Sequence, residues 1–280
     1  MNKGVTLVVA IVLALWALIP FYQMLNLALE PEIDYFNIPP NIYPVHFTLA
    51  NIISTFRNAF FQNGPQIFPS FHLAIIHSTV IATVVMAITM AMAIPAGYGF
   101  ARFSFAFRNA IFFIIVFARS LPPVSLIIPY YSMYKQTNIL GTYEGIILAI
   151  LTLTIPIAVW VTSGVFASLP QELDRQARID GCSRQAALIR VLIPAAAPGL
   201  FALATISWLT AWNEYVLSTY LGDIVGFWTV YGIGIGPASL IVGLIPSIVA
   251  IFILQRYMTS LKLLSPPMMG QNTPERSVPR

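Results

Sequence analysis

Charge is scarce in this chain: Asp, Glu, Lys and Arg together make up 9% of its 280 residues. A water-soluble domain carries about a quarter, so a protein exposed to water on all sides is excluded. Cysteine is scarcer still. Cys182 stands alone, which excludes an internal disulfide and leaves too few thiolates for a cysteine-ligated metal centre; a lone buried cysteine is most simply a small packing residue. The phosphate loop G-x-x-x-x-G-K-[ST] is absent, so nucleotide hydrolysis of that type must lie elsewhere. No internal repeat, low-complexity run or soluble domain is visible, and the short alternating strands of an outer-membrane barrel are missing. The sparse acids form no clustered pair, and His46, His72 and His77 stand singly. They give no reason to assign a proton relay, a metal site or membrane-enzyme chemistry.

Apolar sequence is abundant: 58% of residues are hydrophobic and the mean hydropathy is +0.81. A bilayer core of about 30 Å needs about 20 mostly apolar residues per helix. Six segments qualify: Val5 to Leu29, Leu73 to Tyr98, Ala110 to Tyr131, Gly145 to Ala167, Ala195 to Leu217 and Ala238 to Leu254. The fold class expected is an all-α integral membrane protein, with residues 1–280 forming one transmembrane domain. The first run follows Lys3 but is longer than a signal-peptide core, so it is expected to remain as a helix.

Basic residues set the orientation, because basic loops are retained on the cytoplasmic side. With the N-terminus inside, Lys3, Arg102, Arg108, Arg175, Arg178, Arg184, Arg190, Arg256, Lys262, Arg276 and Arg280 are cytoplasmic, and Arg57 and Lys135 lie outside. Both termini are then cytoplasmic, the second as a polar tail over 261–280. The net charge of +4 reflects this topology and contact with lipid headgroups rather than nucleic-acid binding.

Between the first two spans, residues 30–70 carry prolines and aromatics ("FNIPPNIYPVHF") and read as a structured outer cap or interfacial loop. "ARFSFAFRNA" is a short basic cytoplasmic hairpin. In the third span, Pro122, Pro123 and Pro129 interrupt the helix ladder. Irregular backbone at membrane depth is tolerated where protein or a water-filled cavity satisfies the freed carbonyls.

"ELDRQARIDGCSRQAALIR" is the one stretch where charges crowd together. Ser168 with Gln171 three residues on has capping-box spacing, Asp180 and Gly181 supply a turn, and Ser183 caps a second helix that Pro194 stops. Helix, turn, helix over 169–194 is too polar to span the bilayer. It either lies on the headgroups or fits a groove on a cytoplasmic partner. Periodicity alone does not choose.

"LPQELDRQARIDGCSRQAALIRVLIPAAAPG" closely resembles the signature loop of ABC importer permeases of the carbohydrate-uptake, MalG-like branch. Arg175, Gln176 and Ala177 occupy the three opening positions, Gly181 the glycine, and Val191, Ile193 and Pro194 the end. Arg175 replaces the family's opening glutamate, and Glu172 or Asp174 upstream is placed to take over its charge. "GYGFARFSFAFRNAIFF", "SLIIPYYSMYKQTNILGTYEGIIL" and "WLTAWNEYVLS" are similar to further collinear parts of the family.

The resemblance implies an ABC type I importer permease fold of six transmembrane helices with a cytoplasmic coupling helix. It implies no catalytic residue and no cofactor in this chain, with ATP and Mg bound by partner subunits. The partners implied are a second homologous permease, two ATP-binding subunits, an extracytoplasmic solute-binding protein, the lipid bilayer and a sugar. Coupling would fall to Glu172, Leu173, Asp174, Arg175, Ala177, Arg178, Ile179, Asp180 and Gly181, with Leu173, Ala177 and Ile179 as apolar anchors inside a charged rim. The outer loop "LGDIVGFWTVYGIGIGP" is a candidate surface for the binding protein.

Polar side chains inside a span cost enough to face protein or water. Arg119 is either a donor to a substrate hydroxyl or a structural tie, to Glu214 or to freed carbonyls. Ser207, Thr210 and Glu214 fall on one helical face with Asn213 beside them, and Trp208, Trp212 and Tyr215 form an aromatic stripe. Amides and carboxylates bind hydroxyls and aromatic rings stack on sugar faces, so Asn213, Glu214, Arg119, Thr210 and Trp212 are candidates for the substrate path. The same stripe also suits packing. A permease for a non-sugar solute and a secondary transporter are the alternatives, the latter disfavoured by the missing repeat.

Overall fold

The computed structural model describes residues 3–60, 71–222 and 235–264. Described elements are all helical. α1 (Lys3–Ala28) is followed by a 3-10 turn (Glu32–Phe36), α2 (Ala50–Phe60), α3 (Phe71–Arg102), α4 (Arg108–Ala118), a second 3-10 turn (Pro123–Leu126) and α5 (Ile127–Thr137). Then come α6 (Tyr143–Ser168), α7 (Gln171–Ile179), α8 (Arg184–Ala187), a π turn (Leu188–Leu192), α9 (Ile193–Trp212), α10 (Val216–Leu221) and α11 (Ile235–Leu264).

Among the described residues, four stretches are long and apolar enough to cross a membrane: Gly4–Ala28, Leu73–Arg102, Tyr143–Ser168 and Arg184–Trp212. A fifth arises if the bent pair α4–α5 counts as one, and Pro237–Phe252 is a shorter apolar helix. The loop 223–234 proposed for the binding protein and tail residues 265–280 lie outside the described residues, as does the stretch 61–70.

α6 is the centre of the bundle. Of the apolar window in α6, 61% is buried, against 22% in α3 and none in α1, so α6 packs on protein over most of its surface while α1 offers almost its whole length to lipid or a partner. α3 lies along α6, and α9 leans on both. Small residues let the α3 and α6 backbones approach: the Thr162 hydroxyl donates to the Ala93 carbonyl at 2.9 Å, facing Gly97. Higher up, the buried Thr89 and Thr154 hydroxyls bond at 2.8 Å. Such pairs satisfy polar groups inside apolar helices and set register. Ile81, Val85, Ile146, Ile150 and Ala211 fill one end of the bundle; Tyr98, Phe166, Leu192, Ala196 and Leu200 fill the other.

The outer cap is ordered by buried acids. Glu30, 1% exposed, accepts from the Val45 amide at 3.3 Å, and its carbonyl accepts from Asn51 at 2.8 Å. Asp34 accepts a hydrogen bond from His46 Nδ1 at 2.9 Å. With Glu30 and Asp34 turned inward, the cap presents Ile33, Phe36, Ile38 and Phe47 outward.

Two expected spans run differently. The third is no single helix, because α4 and the segment Pro123–Thr137 meet at 94°. Pro122 and Pro123 carry the break, as proline excludes the helical amide bond; Pro129 does not, since it sits in the first turn of α5, where no donor is needed. The fifth ends early. α9 stops at Trp212, Asn213 to Tyr215 form a break, and α10 resumes.

Candidate functional site

Two features at opposite ends of the bundle bear on function: a two-helix elbow and a cavity.

The elbow begins as α6 ends. Ser168 does not cap α7, because its hydroxyl donates back to the Val165 carbonyl at 2.8 Å while Leu169 and Pro170 run extended. Pro170 is the N-cap of α7, without a side-chain bond. Gly181 then closes the helix at φ +86°. Its amide donates to the Arg178 carbonyl at 3.2 Å and the Cys182 amide to the Ala177 carbonyl at 3.0 Å, the paired bonds of a Schellman ending. Ser183 starts α8, accepting from the Ala186 amide at 3.2 Å, as its position in the sequence suggests.

The faces of α7 sort the candidate coupling residues. Leu173 and Ala177, four apart, turn inward: Ala177 is buried and Leu173 packs against the Tyr98, Phe166 and Leu192 cluster. They anchor the elbow to its own chain and are not free to enter a partner, because the inner face of so short a helix is consumed in holding it to the bundle. Asp174 is half-buried, its carboxylate 3.4 Å from the Tyr98 hydroxyl, so it also leaves the rim. Glu172, Arg175, Arg178, Asp180 and Gly181 are exposed. Ile179 is the apolar side chain of α7 that water meets, 83% exposed.

Residues outside the charged stretch complete the elbow. At the end of α3, Arg102 Nη2 donates to the Leu169 carbonyl at 2.9 Å and to that of Pro170 at 3.4 Å. Phe103 lies edge-on to Tyr98 and beneath the Arg184 guanidinium, 5.1 Å from its ring centre. The sequence alone places Tyr98, Arg102 and Phe103 only at the end of a span and in a hairpin. The available signal was Tyr98 and Arg102 four apart on one helical face, at the point where a span meets a basic turn.

The cavity, about 730 Å³, lies at the other end, between α1, the start of α3, the α9–α10 break and α11. Of the five substrate-path candidates, Trp212, Asn213 and Glu214 line it, together with His77, Tyr215 and Ser218. Thr210 does not line it and bonds its own helix at Ile206. Arg119 is absent from it too. It sits at the 94° bend, its Nε buried without a partner among the described residues, and no ion pair joins it to Glu214.

The helix break defeats the single face predicted for Ser207, Thr210 and Glu214. Glu214 instead accepts from the Leu217 and Ser218 amides, both at 3.1 Å. Its carboxylate caps α10, where free amides and the helix dipole favour negative charge. Asn213 donates to the Leu209 carbonyl at 2.8 Å. Trp212 stacks on Trp208, ring centres 5.1 Å apart, and donates to the Gly243 carbonyl of α11 at 3.3 Å. On the cavity wall, His77 Nδ1 is hydrogen-bonded to the Tyr143 hydroxyl. Glu214→Ala should therefore cost about 1 kcal/mol through the lost cap, read as a lower melting temperature, while the variant still reaches the membrane.

Residues 93–262 match the model of a family described as the binding-protein-dependent transport system inner membrane component. The chain belongs to this family. It is 26% identical over 276 residues to the sulfoquinovosyl glycerol transport system permease protein SmoH of Agrobacterium fabrum, covering 92% of each chain. It is 25% identical over 272 residues to the trehalose/maltose transport system permease protein MalG of Thermococcus litoralis, covering 92% of this chain and 94% of that protein. Among solved structures, a bacterial ABC transporter involved in the import of the acidic polysaccharide alginate contains a chain that superposes with a TM-score of 0.65 at 19% identity, covering 90% of this chain and 95% of that one. The fold is that of an ABC importer permease. This permease is thus a membrane-embedded transport component that works with other ABC components and a binding protein.

Proposed function

We propose that the permease moves a sugar through the plasma membrane of a bacterium or archaeon, driven by ATP hydrolysed on two separate ATP-binding subunits that also hold Mg. A second homologous permease completes the path, and an extracytoplasmic binding protein delivers the solute. The single observation that carries this reading is the elbow: a short helix held by its inner face, its outer face offering Ile179 within the charges of Glu172, Arg175, Arg178 and Asp180. That arrangement suits a protein groove, where an apolar anchor supplies affinity and a charged rim sets register. On this reading the elbow and both termini are cytoplasmic, and the membrane is crossed six times, with α4–α5 as one bent crossing.

The cavity supports the sugar assignment. Trp212 and Tyr215 offer ring faces, Asn213 and Ser218 offer hydrogen-bonding groups, and no lysine or arginine among the described residues lines it. Such walls suit an uncharged polyol. The relatives named for trehalose, maltose and diacetylchitobiose point the same way. The test is to purify the complex with its binding protein and screen sugars by thermal shift, then measure ATP-dependent uptake of the hit in proteoliposomes. A sugar that raises the melting temperature and is taken up only with ATP is expected; uptake driven by an ion gradient without ATP would refute the proposal. Ile179→Asp should weaken retention of the ATP-binding subunits by about 1 kcal/mol or more, seen as a lower subunit ratio after purification.

A further inference from the structure

Motion of a docked α7 has to reach a cavity at the far end of the bundle. From Tyr98 back to His77 is 21 residues of α3, about 30 Å at 1.5 Å per residue. α3 is continuous between them. Its start lines the cavity through Ala74, His77, Ser78 and Ile81. Its end grips the elbow at three separate points. Arg102 donates to the carbonyls of Leu169 and Pro170, Tyr98 reaches Asp174 of α7, and Phe103, the next residue, lies under Arg184 of α8. α6 and α9 flank the elbow in the chain and pack on it through Phe166 and Leu192, but α3 is distant in sequence and has no covalent reason to follow it.

We infer that Arg102, with Tyr98, is a positioning residue that locks the elbow to α3, so that displacement of the docked elbow is carried along α3 to the cavity wall. The contacts suit that task. One guanidinium nitrogen, Arg102 Nη2, donates to two successive backbone carbonyls, a hold that no side-chain rotation of the partner can release, and Leu169 and Pro170 form the extended link between α6 and α7. Tyr98 is 5% exposed and wedged edge-on between Phe103 and Phe166, which keeps its hydroxyl aimed at Asp174. Interiors packed this tightly transmit displacement rather than absorbing it.

The inference rests on the docking proposal for α7, and the experiment separates the two. The complete complex is placed in lipid nanodiscs with Cys182→Ser, and nitroxides are attached at Ile76, an exposed position near the start of α3, and at Leu240 on the cavity wall of α11. Pulsed EPR measures the distance between them without nucleotide and after trapping with ATP and vanadate. In parallel, a photo-crosslinker at Ile179 reports docking on the ATP-binding subunit. The label distance is expected to shift on trapping. In Arg102→Ala the shift is lost while ATP hydrolysis and capture from position 179 persist, and Arg102→Lys, which keeps one charged donor on a shorter reach, restores part of it. A full shift in the Arg102→Ala, Tyr98→Phe double variant, or no shift in the unaltered complex, would overturn the role of α3. Failure of capture from position 179 in the unaltered complex would instead overturn the docking proposal.

Discussion

Gly97→Leu is expected to remove most of the folded protein from the membrane. A Cβ at position 97 would stand 2.1 Å from Thr162 Oγ1, 2.5 Å from Thr162 Cβ and 2.8 Å from the Ser163 amide nitrogen. Thr162 could rotate away only by giving up its bond to the Ala93 carbonyl, and the Ser163 backbone cannot rotate at all. α3 and α6 would have to separate along the seam that forms the centre of the bundle. Overpacking of this kind costs about 1–3 kcal/mol even where side chains can adjust, so a contact with backbone belongs at or beyond the upper end. Gly99→Ala is the matched control, because nothing lies within 4 Å of a Cβ there and alanine favours a helix by up to about 1 kcal/mol over glycine. Size-exclusion recovery from detergent extracts checks both: a poor, aggregated yield for Gly97→Leu and a normal one for Gly99→Ala.

Gly181→Val should reach the membrane in normal amount yet abolish coupling between ATP hydrolysis and uptake. Position 181 has open space around it, so no clash arises. The obstacle is φ of +86°, where a side chain costs about 1–2 kcal/mol and a β-branched one more. Global stability tolerates that in an exposed turn. The turn does not, since the two Schellman bonds that fix α7 against α8 require this backbone. Gly181→Asn should retain most coupling, because asparagine enters the left-handed region several-fold more readily than other residues. The measurement is solute moved per ATP hydrolysed in proteoliposomes. An undiminished ratio for valine would mean that the geometry of the elbow is immaterial.

Hydropathy made the helices legible because lipid imposes one requirement, apolar length, on every crossing. It could not show where a crossing breaks. The bend after Ala118 was signalled by two adjacent prolines, but the break after Trp212 has no proline or glycine. It shows only in Glu214, whose carboxylate starts a new helix where the pattern reads as a continuing face. The elbow was legible as helix, turn, helix because capping and glycine signals are local. Which face it uses was not. Leu173, Ala177 and Ile179 look alike as apolar residues in a charged stretch, and only packing against Tyr98, Phe166 and Leu192, distant in sequence, separates the inward pair from the outward one. For the same reason the spacing of Tyr98 and Arg102 places them on one helical face beside a basic turn but does not show that their donors serve another segment's side chain and carbonyls.

The most direct measurement is photo-crosslinking from Ile179 in the assembled complex within lipid, with exposed Trp160 in the middle of α6 as the comparison position. A benzophenone at 179 should form its principal adduct with an ATP-binding subunit, and one at 160 should not. If the probe at 179 labelled lipid, or no protein at all, the elbow would be a membrane-surface helix and would transmit nothing.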